Sequence, residues 1–194
     1  LHSMAQLLAD GAAWDKAHPG AWEAMLAAVQ PGDVSVILYT SGTTGKPKGV
    51  MHSFGNFAWA IGAGIKRIPM GQEDRMLSYL PLAHVVERTL VEHGWLRTGM
   101  HVYFADSLET FAEDMQRARP TIFFSVPRLW VKFQQGVHAK MPPAKLDRLL
   151  GIPILGRIVA RKVLKGLGLD AVIQAGSGSA PIPPDLIAWY RRLD

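Results

Sequence analysis

The chain has 194 residues, 48% of them hydrophobic and 19% charged, enough to bury one core and short for two comfortable domains. Lys+Arg 21 against Asp+Glu 16 gives a net charge of +5, which suits anionic partners such as nucleotides, phosphates, nucleic acid or an acidic membrane surface. With no cysteine, disulfides, thiolate zinc sites and a cysteine nucleophile are excluded.

In chain order, apolar residues at helical spacing (Met4, Leu7, Leu8, Trp14, then Trp22, Met25, Leu26, Val29) predict two opening helices parted at His18-Pro19-Gly20. Val34 to Tyr39 reads as a short buried strand, and residues 49–52 as a second. Ser53 is a suitable N-cap for a helix running from Phe54 towards Lys66. Further strands are expected at 76–80, 101–104, 121–125 and 171–174, with helices at 108–117, 129–140 and 154–167 between or after them. This alternation predicts an α/β fold, a layered mixed sheet with flanking helices. Met141-Pro142-Pro143 reads as a helix break rather than a domain linker. The longest apolar stretch, 57–65, is far short of the about 20 residues that span a bilayer. The opening Leu1-His2-Ser3-Met4 lacks the basic-then-apolar layout of a signal peptide, so the expectation is a cytoplasmic location.

Chemistry concentrates at 39–49, Tyr-Thr-Ser-Gly-Thr-Thr-Gly-Lys-Pro-Lys-Gly, which packs four Ser/Thr hydroxyls, three glycines and two lysines behind an apolar strand. Glycines let backbone amides converge on an anion, hydroxyls donate to phosphate oxygens, and Lys46 and Lys48 supply charge. A solvated turn between strands is the bland alternative. A Walker A loop is disfavoured, because Thr40 stands where its first glycine belongs and Pro47 follows Lys46.

The segment resembles the phosphate loop of the adenylate-forming (AMP-binding) enzymes, the family of acyl-CoA synthetases, luciferases and peptide-synthetase adenylation domains. Leu80-Pro81-Leu82-Ala83-His84-Val85-Val86-Glu87-Arg88 is similar to the long-chain fatty acyl-CoA synthetase version of a motif that sets a His or aromatic residue beside the reacting carboxylate. Outside that context a lone His after a strand more commonly satisfies local hydrogen bonds. Glu87 and Arg88 are expected to form ion pairs with other groups. Ala175-Gly176-Ser177-Gly178-Ser179-Ala180-Pro181 is similar to the small-residue turn that packs along the adenine, and is otherwise an ordinary strand-to-helix connection. Ser125-Val126-Pro127-Arg128-Leu129-Trp130 resembles the segment in which long-chain synthetases carry a tryptophan gating the acyl tunnel. A core tryptophan is the competing reading, since Leu129, Trp130 and Phe133 sit at core spacing.

The resemblance covers the chain from about Pro31 onward. It implies a ligase, a long-chain fatty acyl-CoA synthetase, that joins a fatty acid to ATP as an acyl-adenylate and then passes the acyl group to coenzyme A. By the same resemblance Thr40, Ser41, Gly42, Thr43, Thr44, Gly45 and Lys48 bind the phosphates, with Thr40 also facing Mg²⁺. Gly178, Ser179 and Ala180 bind the nucleotide, His84 is catalytic and touches the substrate, and Trp130 contacts the acyl chain. Residues 1–194 are then an internal fragment of the large amino-terminal domain, lacking the carboxy-terminal domain and with little or no catalysis of its own. A second class stays open: a non-catalytic basic module binding a membrane surface or nucleotide only. Arg157, Arg161 and Lys165 recur at i, i+4 and i+8 beside Ile154, Leu155 and Ile158, which admits transient contact at the inner face of a membrane. Nucleic acid is not expected, as no aromatic interleaving accompanies the stripe.

Overall fold

The computed structural model describes residues 2–40 and 45–194. The chain divides into two compact units, residues 1–59 and 60–194.

In the first unit, α1 (Met4–Ala17) opens on Ser3, whose Oγ accepts the Gln6 N–H at 3.2 Å. Gly20, at φ 78°, parts it from α2 (Ala21–Ala28), as the His18-Pro19-Gly20 break predicts. Strands β1 (Val34–Thr40) and β2 (Lys48–Ser53) pair antiparallel, with Leu38 opposite Val50 and Thr40 opposite Lys48. The strand at Val34 to Tyr39 is present but is not the buried strand expected. Leu38 alone is buried, whereas Val34, Ile37 and Tyr39 are exposed. An apolar run gives strand propensity, but burial requires layers on both faces, and among the described residues β1 pairs only with β2 in a two-stranded ribbon. Helix α3 (Phe54–Arg67) follows β2 directly.

The second unit is layered. Strand β3 (Arg75–Ser78) pairs in parallel with β4 (His101–Phe104), and β5 (Ile122–Ser125) in parallel with β6 (Gln174–Ser177). The two pairs meet where the Thr121 N–H donates to the Arg75 carbonyl at 3.0 Å and the Arg75 N–H donates to the Thr121 hydroxyl at 2.9 Å. Successive side chains on a strand point to opposite faces, and here both faces are covered. Met76 and Ile122 join Ile61, Val91 and Met100 on one side. Leu77 and Phe123 join Met115, Trp130, Leu169 and Leu186 on the other. The fold is therefore α/β with mixed strand pairing, as the alternation predicts.

A π-helical segment, Glu87–His93, runs straight into the short α4 (Gly94–Thr98) on the first face. Helices α5 (Phe111–Ala118), α6 (Pro127–Lys140), α7 (Pro143–Leu150), α8 (Leu155–Leu167) and α9 (Pro184–Arg191) complete the unit. Three of them begin at proline, whose fixed φ suits the first turn and whose missing N–H costs nothing there. Met141-Pro142 breaks α6 from α7, matching the expected helix break. Strand β6 lies three residues later than the expected 171–174. Val172 is held in a turn by its N–H to the Leu169 carbonyl, and pairing with β5 begins only at Gln174.

Candidate functional site

The expected phosphate loop joins β1 to β2. Ser41, Gly42, Thr43 and Thr44 lie outside the described residues. The ladder fixes its ends: Thr40 and Lys48 are register partners, a spacing at which side chains are about 5 Å apart at Cβ. Both are exposed, and Gly45 between them adopts φ 103°, a conformation glycine reaches without strain. As register partners, Thr40 and Lys48 bring their side chains to the same face of the ribbon at the two ends of the loop. Such a pair can hold phosphate oxygens from two sides. Thr40 offers one neutral oxygen of the about six that Mg²⁺ takes. Among the described residues no group of three or more His, Cys, Asp or Glu side chains could hold a metal ion.

In the second unit, the chain leaves β3 through Tyr79 and Leu80 into the turn that carries His84. The His84 N–H donates to the Pro81 carbonyl at 2.8 Å. Its ring Nδ1 accepts the Val86 N–H at 3.2 Å, which leaves Nε2 to carry the proton of the neutral ring. The side chain is half-buried. A donor at Nε2 beside an open turn can orient a carboxylate.

Arg88 is ion-paired as expected, its guanidinium nitrogen lying 2.9 Å from both carboxylate oxygens of Glu92. Glu87 departs from expectation. It is 2% exposed, and its hydrogen bonds come from neutral donors, the Ser78 hydroxyl and the Leu80 N–H. Burial pushes its carboxyl above the usual range, and the Ser78 hydrogen bond only partly offsets this. Reading Glu87 with its sequence neighbour Arg88 misses this role. The available signal was spacing: Glu87, Leu90 and Val91 fall at i, i+3 and i+4, which puts the carboxylate on the apolar face. Next to it, burial also raises the Tyr79 phenol, whose O–H donates to the Phe124 carbonyl at 2.9 Å.

Gly178, Ser179 and Ala180 follow β6 and are exposed. The Gly178 N–H donates to the Ser125 carbonyl at 3.2 Å, and nothing lies within 4 Å of the position a Cβ would take there. Ser179 adopts φ 66°, uncommon outside glycine. An open, small-residue turn of this kind leaves its backbone accessible to a flat ring.

Trp130 is 5% exposed, with its ring edge-on to Phe123 at 5.3 Å and to Tyr190 at 5.0 Å. The Tyr190 O–H donates to the Trp130 carbonyl at 2.8 Å, while the indole Nε1 is buried without a hydrogen-bond partner. Trp130 also forms part of the wall of a cavity of about 470 Å³, together with Leu164, Val172, Ala175, Ile182 and Ile187. Gly178, Ser179 and Ala180 lie just past the strand that borders this cavity. The structure thus brings Trp130 and strand β6 to one cavity, with His84 in the turn after β3 of the same unit.

Comparison with known proteins is decisive for the family: residues 3–194 match the AMP-binding enzyme family. The chain belongs to the AMP-binding enzyme family. A long-chain-fatty-acid–CoA ligase of Rattus norvegicus is 34% identical over 192 residues, covering 82% of this chain and 29% of the relative. A peroxisomal acyl-CoA ligase of Penicillium brevicompactum is 37% identical over 183 residues, covering 82% of this chain and 26% of the relative. The A–PCP didomain of carboxylic acid reductase from Segniliparus rugosus, solved with AMP, superposes with a TM-score of 0.66 at 34% identity, covering 86% of this chain and 23% of that one. The chain thus spans less than a third of the length of these AMP-binding relatives.

Arg157, Arg161 and Lys165 of α8 are exposed next to Ile154 and Ile158, which are 77% and 60% exposed. Among the described residues no helix is long and apolar enough to cross a membrane.

Proposed function

We propose that this chain is part of an enzyme that activates a long-chain fatty acid with ATP and transfers the acyl group to coenzyme A. The observation that carries the reading is its 34% identity to a long-chain-fatty-acid–CoA ligase across 82% of the chain. In the first step a carboxylate oxygen bonds to the α-phosphorus of ATP, and the bond to the pyrophosphate oxygen breaks. Two anions must meet, so stabilisation of phosphate charge dominates. Thr40, Ser41, Gly42, Thr43, Thr44, Gly45 and Lys48 hold the phosphates, and Thr40 would supply one oxygen to the Mg²⁺ that accompanies ATP, which would offset part of its charge. His84 donates from Nε2 to the carboxylate and fixes its direction of attack. Gly178, Ser179 and Ala180 lie along the adenine, and Trp130 borders the path of the acyl chain. The apolar cavity wall beside Trp130 supports that last assignment.

In the second step the coenzyme A thiol displaces AMP. A carrier-protein acceptor is the second reading, favoured by the equal 34% identity to an adenylation–carrier didomain. The two separate in one assay on the full-length protein: palmitate, Mg·ATP and either coenzyme A or a phosphopantetheinylated carrier domain, with thioester product followed by mass spectrometry. Palmitoyl-CoA supports the first reading; thioester on the carrier alone replaces it with the second. The α8 face is proposed to touch anionic lipid at the inner membrane surface transiently, which flotation with phosphatidylglycerol vesicles checks.

A further inference from the structure

The chemistry proposed above makes no use of the buried carboxylate at the start of the π-helical segment. Glu87 is 2% exposed among apolar side chains, an environment that penalises a carboxyl unless hydrogen bonds compensate it. Its two oxygens face opposite ends of one short stretch of chain. One accepts from the Ser78 hydroxyl, the last residue of β3, and the other from the Leu80 N–H at 3.4 Å, where the turn begins. Arg88, the next residue, takes hold further along. Its Nε donates to the Leu82 carbonyl at 2.9 Å, and one of its two terminal nitrogens donates to both oxygens of Glu92. The Arg88 N–H then donates to the carbonyl of His84 at 3.2 Å. Leu80, Leu82 and His84 are thus each tied to the first two residues of the same helix. π-Helical insertions are rare and frequent at functional sites, because the wider turn re-aims side chains that an α-turn would place elsewhere.

We propose that Glu87 and Arg88 are positioning residues that pin the Leu80–Val86 turn to the end of β3 and so fix the direction of His84 Nε2. The inference rests on the assignment of His84 to the substrate carboxylate. Neither residue reaches the reacting atoms; each acts through the backbone that carries His84.

The test uses the full-length protein and two readouts, fatty-acid-dependent pyrophosphate exchange and amide hydrogen exchange of the 80–86 segment. Glu87→Met keeps the volume and removes both acceptors. Glu87→Gln keeps both contacts, since its Oε1 can accept from Leu80 while its amide donates to the Ser78 oxygen. Glu87→Met should slow pyrophosphate exchange about ten- to a hundredfold, the scale of a misplacement of about 1 Å, and should deprotect 80–86. Glu87→Gln should restore both. In a His84→Ala background, Glu87→Met should cost less than about twofold further, because a residue acting through His84 has nothing left to act on. Arg88→Met, whose side chain is partly exposed, should behave in the same way and serves if Glu87→Met does not fold. Equal losses with and without His84, unchanged protection of 80–86 in Glu87→Met, or a Gln variant as poor as Met would overturn the proposal. If the wild type exchanges pyrophosphate with no carboxylic acid, the proposed function falls. The pinning of the turn is still decided by hydrogen exchange, which needs no substrate.

Discussion

Ser53 and Asn56 hold each other twice: the Asn56 N–H donates to Ser53 Oγ at 3.1 Å, and the Ser53 N–H donates to Asn56 Oδ1 at 3.0 Å. This reciprocal box closes the first turn of α3 immediately after β2, so the strand that leaves the proposed phosphate loop is fastened to a helix start. Ser53→Ala should cost about 1 kcal/mol. Asn56→Ala should cost a similar amount, and the double variant should cost clearly less than the sum, because the pair acts as a unit. Urea unfolding of the four proteins checks this; strict additivity would show that the two bonds are independent.

Lys48 is exposed, so its removal should leave folding unaltered. Lys48→Ala should remove one charge-assisted phosphate contact of about 1.5–3 kcal/mol, slowing adenylation about ten- to a hundredfold at about 1.4 kcal/mol per decade. Pyrophosphate exchange in the full-length protein reads this directly, and an unchanged rate would remove Lys48 from the phosphate site.

Asp114 holds the turn before α5. It accepts from the Asp106 N–H at 3.0 Å, the Thr110 hydroxyl at 2.9 Å and Arg117 at 2.8 Å. The Asp106 N–H, then the Thr110 hydroxyl, holds its carboxyl below the usual range, with Arg117 adding a smaller pull. A depressed carboxyl stabilises the fold fully above its unfolded pKa of about 3.9 and loses that contribution as pH falls through the lower folded value. Glu87 has the opposite sign: its raised carboxyl favours the fold most at low pH, and that contribution is lost as pH rises from the unfolded towards the folded pKa. Asp114→Asn should therefore flatten the loss of stability below about pH 4, and Glu87→Gln should flatten the fall above it. Thermal melts from pH 3 to 7 would show both, and parallel curves for wild type and variants would contradict them.

Trp130 is packed between Phe123, Phe133 and Tyr190, so Trp130→Ala should cost about 3–5 kcal/mol. Trp130→Phe should cost less, since it keeps an aromatic ring and deletes the buried indole N–H that has no partner. If the side chain borders the acyl path, Trp130→Phe should also shift the preferred fatty-acid length. A stable Phe variant with an unaltered chain-length profile would make Trp130 a core residue alone.

The sequence made the two strands flanking the loop, the Ser53 cap and the helix breaks legible, because each depends on residues within a few positions of one another. Features set by distant partners were not. The expected strand at 171–174 rested on Val172 and Ile173, but β5 selects Gln174–Ser177, where glycine at 176 leaves room for the Phe124 ring that a Cβ would strike. The exposure of Ile37 and Tyr39 depends on what covers a strand's faces, which an apolar run does not encode. Within the candidate site, the loop, His84 and the β6 turn were singled out by their residues alone. Glu87 was missed because its partners, Ser78 and Leu80, lie seven or more positions back across a turn.

The most direct test of the proposed activity is ATP–pyrophosphate exchange by the full-length protein across saturated fatty acids from acetate to stearate. Each buried methylene contributes about 0.8 kcal/mol, so apparent affinity should climb steeply from medium to long chains and level off once the acyl path is filled. Exchange supported equally by acetate, or by aromatic acids in preference to palmitate, would contradict long-chain fatty-acid activation.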